Sequence, residues 1–199
     1  NLFKSSNIIF YENGSNDNSL KLLKRYCNQN KHAILINEEY PTDEFPRTVR
    51  IARGRNICLN YANFIKNDIY IALDFDDVIR GLKVDSIVKC FTEPFEWGAL
   101  FANQQGIHYD VWALRTCDKW MKYDIWEAYD YLWDGASSKT REIGCGILNY
   151  FKFKNVPKNS IIKVISAFGG LGIYNLSNLE GCYYYGWKNA KAKKRYISK

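Results

Sequence analysis

What most constrains the fold of this chain is an alternation that runs from Ile8 to Phe91. Short apolar runs at Ile8–Tyr11, His32–Asn37 and Ile69–Leu73 alternate with longer segments whose apolar residues recur at helical spacing. Ser19–Asn28 places Leu20, Leu23 and Cys27 on one helical face. Over Arg47–Ile65, apolar Val49, Ile51, Ala52, Ile57, Leu59, Ala62 and Phe64 suit a long helix, with Gly54 as a local weakness. A third helix is expected over 83–91, and the proline- and acid-rich stretch 38–47 reads as a loop. Strand, helix, strand, helix, strand, helix predicts an α/β fold with a parallel sheet.

The second half follows another rhythm. "WGALFAN" (97–103) and "HYDVWALR" (108–115) read as strands joined by a turn, and 119–133 as an aromatic-rich helix. Residues 160–176 combine an apolar strand, the glycine-rich bend "SAFGGLGIYN" (166–175) and another strand. Mixed topology is therefore expected towards the C-terminal side. At 199 residues the chain is expected to be a single domain.

Composition excludes several classes. A chain 47% hydrophobic and 16% aromatic is globular, not disordered. No apolar run approaches the ~20 residues of a membrane span, and the N-terminal segment lacks the pattern of a secretory signal. A soluble, cytoplasmic protein is expected. The six cysteines form no CxxC pair and only His32 and His108 accompany them, which argues against zinc and for reduced structural thiols. The +7 charge is concentrated in "KNAKAKKRYISK" (188–199), so it reads as a solvated end and not as a nucleic-acid surface.

The chemistry-bearing segment is "NDIYIALDFDDVIRG" (67–81), where an apolar strand runs into Asp74, Asp76 and Asp77. Carboxylates at a strand's end repel one another unless a cation or solvent separates them. Strand alternation would point Asp74 and Asp76 to one side, at the sheet edge where open α/β folds bind ligands. Hard oxygen donors of this kind suit Mn²⁺ or Mg²⁺, completed by water and substrate phosphate.

Two families share such a motif. "LDFDDVI" resembles the first motif of haloacid-dehalogenase-like phosphohydrolases, which would make Asp74 a nucleophile and Asp76 a general acid/base. That motif normally opens its domain, and no acidic pair after residue 140 matches the family's later metal ligands. The chain resembles nucleotide-sugar glycosyltransferases of the GT-A fold over more of its length. "FYENGSNDNS" (10–19) is similar to the turn after their early strand, "IARGRNICLNYA" (51–62) to the helix before their DxD strand, and 166–175 to their glycine-rich turn. With "YDVWALR" (109–115), the pattern looks closest to the capsule-associated mannosyltransferase-like family and to domains that build viral capsid glycans.

This resemblance implies a three-layer α/β/α sandwich of GT-A type with a mixed, mainly parallel central sheet. It implies a nucleotide-binding half over about 1–80 and an acceptor and sugar half over about 81–199. The donor would be a UDP-sugar, L-rhamnose among the candidates, the acceptor a glycan, and the cofactor Mn²⁺ or Mg²⁺. If the source is viral, the site of action would be the host cytoplasm. Glu12 would address the base, with Asn13 beside it in the nucleotide site, Arg55 and Asn56 the base and diphosphate, Asp76 the metal, and Asp74 the metal or ribose. Gly169 and Gly170 would line the sugar pocket, where a missing side chain admits the donor. Asp110 is the candidate acceptor base, with Glu180 as the alternative.

Plainer roles stand beside these. Glu12 can cap its turn, Arg55 can be a surface ion-pair partner, and Asp110 can pair with Arg115. Trp112 and the aromatics of 119–133 suit a core, and the paired glycines suit a bulge. A domain that kept the fold and lost turnover would bind sugar without transferring it. Two departures from the family remain. Only seven residues precede the first strand, which suggests a fragment of a longer chain, and no histidine follows His108 to serve as a late metal ligand.

Overall fold

The computed structural model describes residues 3–39, 45–92, 94, 96–103, 110, 112–117, 137 and 161–187. Two compact units result, one within Asn1–Tyr70 and Leu176–Lys199, the other within Ile71–Asn175. The expected helix over 119–133 lies outside the described residues. Helices and strands mix as an α/β class requires.

The first unit is built on strands β1 (Ile8–Glu12) and β2 (Ala33–Asn37), joined by helix α1 (Ser19–Gln29). The strands pair in parallel, Ile8 opposite Ala33 through to Glu12 opposite Asn37. Parallel neighbours need a crossover, and α1 supplies it. Its expected face holds: Leu20, Leu23 and Cys27 are half-buried, and Lys21, Lys24 and Arg25 are exposed. Helix α2 (Arg47–Phe64) begins directly after Pro46, whose fixed φ suits a helix entry. Ala52, Gly54, Leu59 and Ala62 form its buried side.

Gly54 is no weakness in this setting. A Cβ there would collide with two carbons of the Tyr11 ring, so the glycine is what lets α2 lie against β1. The same unit contains the extended segment after Gly181, which packs along α2. The Thr48 hydroxyl donates to the Gly186 carbonyl at 2.7 Å, and Phe45 meets Trp187 edge to face at 6.2 Å.

The second unit contains most of β3 (Ile69–Leu73), then α3 (Val84–Cys90), β4 (Ala99–Phe101), β5 (Arg115–Thr116), β6 (Val164–Ser166) and β7 (Leu171–Asn175). Strand β7 lies between β3 and β4. It runs antiparallel to β4, with Leu100 opposite Ile173, which is 1% exposed and the centre of this core. Phe168, Leu171, Leu114 and Ala72 are buried with it. Strands β5 and β6 form a separate antiparallel pair with a register shift between Arg115 and Thr116.

The strand pairing departs from one mainly parallel sheet. Among the described residues the strands form three small sheets, and only β1 and β2 pair in parallel. Apolar periodicity identifies a strand but not its neighbour, and β3 takes a partner from far along the chain. No helix among the described residues is long and apolar enough to cross a membrane.

Candidate functional site

In the first unit the strand–turn after β1 brings Glu12 into the interior. Glu12 is 4% exposed, although among the described residues no ion pair engages it. Its Oε1 accepts the Ser15 backbone N–H, closing the turn around Gly14, whose φ of 67° only glycine adopts readily. Its Oε2 is buried without a hydrogen-bond partner among the described residues. One oxygen therefore caps the turn, and the other is left with unused acceptor capacity among the described residues. A buried acceptor in that state costs about 1–3 kcal/mol, more when charged.

Asn13 is fixed too, its Nδ2 donating to the Glu38 carbonyl at 2.7 Å. On α2, Arg55 lies over the Tyr184 ring, with its guanidinium carbon 5.6 Å from the centroid. Asn56 binds the backbone of the same residue twice. Its Nδ2 donates to the Tyr184 carbonyl at 2.9 Å, and its Oδ1 accepts the Tyr184 N–H at 2.7 Å. The amide of Asn56 is thus engaged in holding chain, as an interior helical asparagine often is. Tyr184 is a neighbour that the sequence reading missed. The mid-helix asparagine was the available signal, since its low helix propensity asks for another reason to be there.

In the second unit β3 ends at Leu73, and the acids follow on a bend. Strand alternation therefore does not orient Asp74 relative to Asp76, contrary to expectation. Asp74 is half-buried, and its backbone N–H donates to the Gly170 carbonyl at 2.9 Å. That bond sets the end of β3 beside the start of β7, an antiparallel junction, and joins the acidic segment to the glycine turn. Asp76 is exposed, and its Oδ1 accepts the Val78 N–H at 3.0 Å, capping a 3₁₀ turn over Asp77–Ile79.

The two glycines of the turn are both left-handed, with φ of 66° at Gly169 and 85° at Gly170. A Cβ on Gly169 would strike the Ala102 carbonyl oxygen, so its missing side chain serves the close passage of backbone. Gly170 turns its carbonyl to Asp74. Two carboxylates of this type match the donors that Mn²⁺ and Mg²⁺ prefer, with substrate phosphate and water supplying the rest. Among the described residues no three His, Cys, Asp or Glu side chains gather as a preformed cage. Residues 104–109 and 111, including His108, lie outside the described residues.

Asp110 is half-buried in a turn, not on a strand. Its carbonyl accepts the Ala113 N–H at 3.3 Å, and the strand begins only at Arg115. The Arg115 guanidinium donates to the carbonyls of Trp112 at 3.0 Å and Leu114 at 2.7 Å, which brace that turn. Glu180 sits exposed at the turn after Leu176–Leu179, in the first unit. Of the cysteines, Cys58 has its thiol pushed up to about 11 by burial, which keeps it protonated and unreactive at neutral pH. Comparison with protein-family models, curated proteins and solved structures returns no match to this chain.

Proposed function

We propose that the chain is a metal-dependent glycosyltransferase of GT-A type, moving a hexose or 6-deoxyhexose such as L-rhamnose from a UDP-sugar to a glycan acceptor. The observation that carries this reading is the Asp74 N–H bond to the Gly170 carbonyl. It joins two segments, distant in sequence, that the resemblance assigns independently to the donor's diphosphate and its sugar. Glu12 adds support from the first unit. A buried carboxylate oxygen without a partner suits a ligand that brings its own N–H, as the imide of uracil does.

The roles follow from the chemistry of each side chain. Glu12 Oε2 accepts from the base, and Asn13 shapes the turn that holds it. Arg55 contributes positive charge towards the diphosphate, and Asn56 fixes the segment on which Arg55 stacks. Asp76, with Asp74, would hold the Mn²⁺ or Mg²⁺ ion, which when bound offsets charge on the departing UDP. Exposure of Asp76 leaves its carboxylate accessible to a cation from solvent. If transfer inverts the anomeric centre, Asp110 is the assigned acceptor base; retention requires no base at that position.

The test is release of UDP from a panel of UDP-sugars with Mn²⁺, beside calorimetry of UDP in Mn²⁺ and in EDTA. Binding should require the metal, because carboxylates alone repel a diphosphate. Asp76→Asn should abolish most of the turnover and leave the melting temperature unchanged, since asparagine keeps the cap on Val78. Equal UDP affinity in EDTA would count against the reading. Release of phosphate from a phosphomonoester in its place would favour the phosphohydrolase alternative.

A further inference from the structure

Glu38, the first residue after β2, is bonded to all three consecutive residues that define the Glu12 turn. Its carboxylate Oε2 accepts the Tyr11 hydroxyl at 2.8 Å. Its backbone N–H donates to the Glu12 carbonyl at 3.1 Å, and its own carbonyl accepts the Asn13 side-chain amide at 2.7 Å. On the other side Arg53 of α2 grips the same carboxylate in a bidentate ion pair, Nε to Oε2 at 2.8 Å and Nη2 to Oε1. The next residue, Gly54, is where α2 lies against the Tyr11 ring. Glu38 therefore ties strand, turn and helix together, its carboxylate on Tyr11 and Arg53 and its backbone on Glu12 and Asn13, around a residue whose own Oε2 has no partner among the described residues.

From this geometry we infer that Glu38 is a positioning residue, which holds Glu12 at a fixed orientation and thereby sets selectivity for uracil over cytosine. The inference rests on the nucleotide role proposed for Glu12. Uracil presents a ring N–H where cytosine presents a bare ring nitrogen. A carboxylate oxygen held in place accepts from the first and repels the second, while a mobile one turns aside and accommodates either. Fixing is needed because a buried, unpartnered carboxylate gains by rotating towards any donor it can reach.

The ionisation states agree with this role. Arg53 first, then the Tyr11 hydroxyl, hold the Glu38 carboxyl below its ordinary range. Burial, then Glu38, push the Tyr11 phenol up to about 12. At neutral pH Glu38 is an acceptor and Tyr11 a donor, as the bonding requires.

The experiment measures Kd for UDP and for CDP with Mn²⁺ by calorimetry on the full chain. It compares wild type with Glu38→Gln, which keeps a carbonyl for Tyr11 and loses the charge that holds Arg53. It also follows hydrogen exchange at the Ser15 amide in the ligand-free protein, since that amide reports Glu12 directly. Expected are a fall of about tenfold in the preference for UDP, from weaker UDP binding together with tighter CDP binding, and faster Ser15 exchange. Tyr11→Phe, which removes one bond and no charge, should move both readouts the same way by less. In a Glu12→Ala background, Glu38→Gln should not change the nucleotide preference further. If Glu38→Gln lowers only the melting temperature, with preference and exchange intact, the residue is structural and the inference is overturned. If that variant does not fold, an unchanged Tyr11→Phe overturns it equally. A wild type that fails to prefer UDP removes the nucleotide reading itself, and the selectivity role with it.

Discussion

Glu12 shows how one side chain divides its labour at the end of a strand. Oε1 satisfies a backbone donor in the turn, yet Oε2 is buried with its acceptor capacity unused among the described residues. Glutamine separates the two functions. Glu12→Gln can keep its carbonyl on Ser15 and then turns an NH₂ to where the free oxygen was. Without ligand the variant should be more stable than wild type by about 1 kcal/mol, because an uncompensated buried charge is gone. With Mn²⁺ present it should bind UDP more weakly by about 1.5–3 kcal/mol, roughly ten- to a hundredfold, since two donors now face each other. Thermal melts and calorimetry on the same preparation read both effects. A variant that loses stability and keeps its UDP affinity would return Glu12 to turn capping alone.

Elements divide into those that local periodicity specifies and those that distant partners specify. Strand β3 falls on Ile69–Leu73 as the sequence predicts, and α1, α2 and α3 fall within a residue or so of their expected ends. Their signals are local: apolar spacing, a proline at a helix entry, turn residues between. The Gly169–Gly170 bend was legible for a similar reason, because paired glycines before an apolar run announce positive φ. Gly169→Ala should cost at least about 2 kcal/mol, from the left-handed backbone together with the clash at the Ala102 carbonyl. A urea titration measures this, and a loss below half that value would mean that the β4–β7 connection yields. Not legible were the pairing of β3 with β7, the turn at Asp110–Ala113, and the docking of Tyr184 on Asn56. Each depends on contacts between residues far apart or on carbonyls that need a donor, and neither leaves a period in the chain. For the site, the acids and glycines stood out by type and spacing. Glu38 and Arg53 did not, because a charged residue in an acidic loop and another on a helix look like ordinary surface.

At the scale of the whole molecule the titrating groups give stability an asymmetric dependence on pH. On the acid side the perturbed carboxyls among the described residues are Glu38, lowered by Arg53 and Tyr11, and Asp17, lowered by hydrogen bonds from Ser19. Lowered folded values add stability that is present above the ordinary carboxylate range and lost as pH falls through them. Asp17 is on the surface and Glu38 keeps 29% of its side chain exposed, so that loss is shallow. Among the described residues the alkaline side rests on groups raised by burial: Cys58, from 9.0 to about 11, and Tyr11, from 10.0 to about 12. Raised folded values add stability that is complete below the unfolded values and disappears as pH rises through the folded ones. The melting temperature should therefore hold up to about pH 9 and fall steeply between pH 9 and 12, more steeply than these two carboxyls make it fall below about pH 4.5. Lysines also titrate in that window, so the comparison that isolates the cause is Tyr11→Phe. That variant should start lower at pH 8, having lost its bond to Glu38, and then decline less steeply above pH 10 than wild type. Parallel curves for the two proteins from pH 8 to 12 would show that Tyr11 ionisation does not drive the alkaline transition.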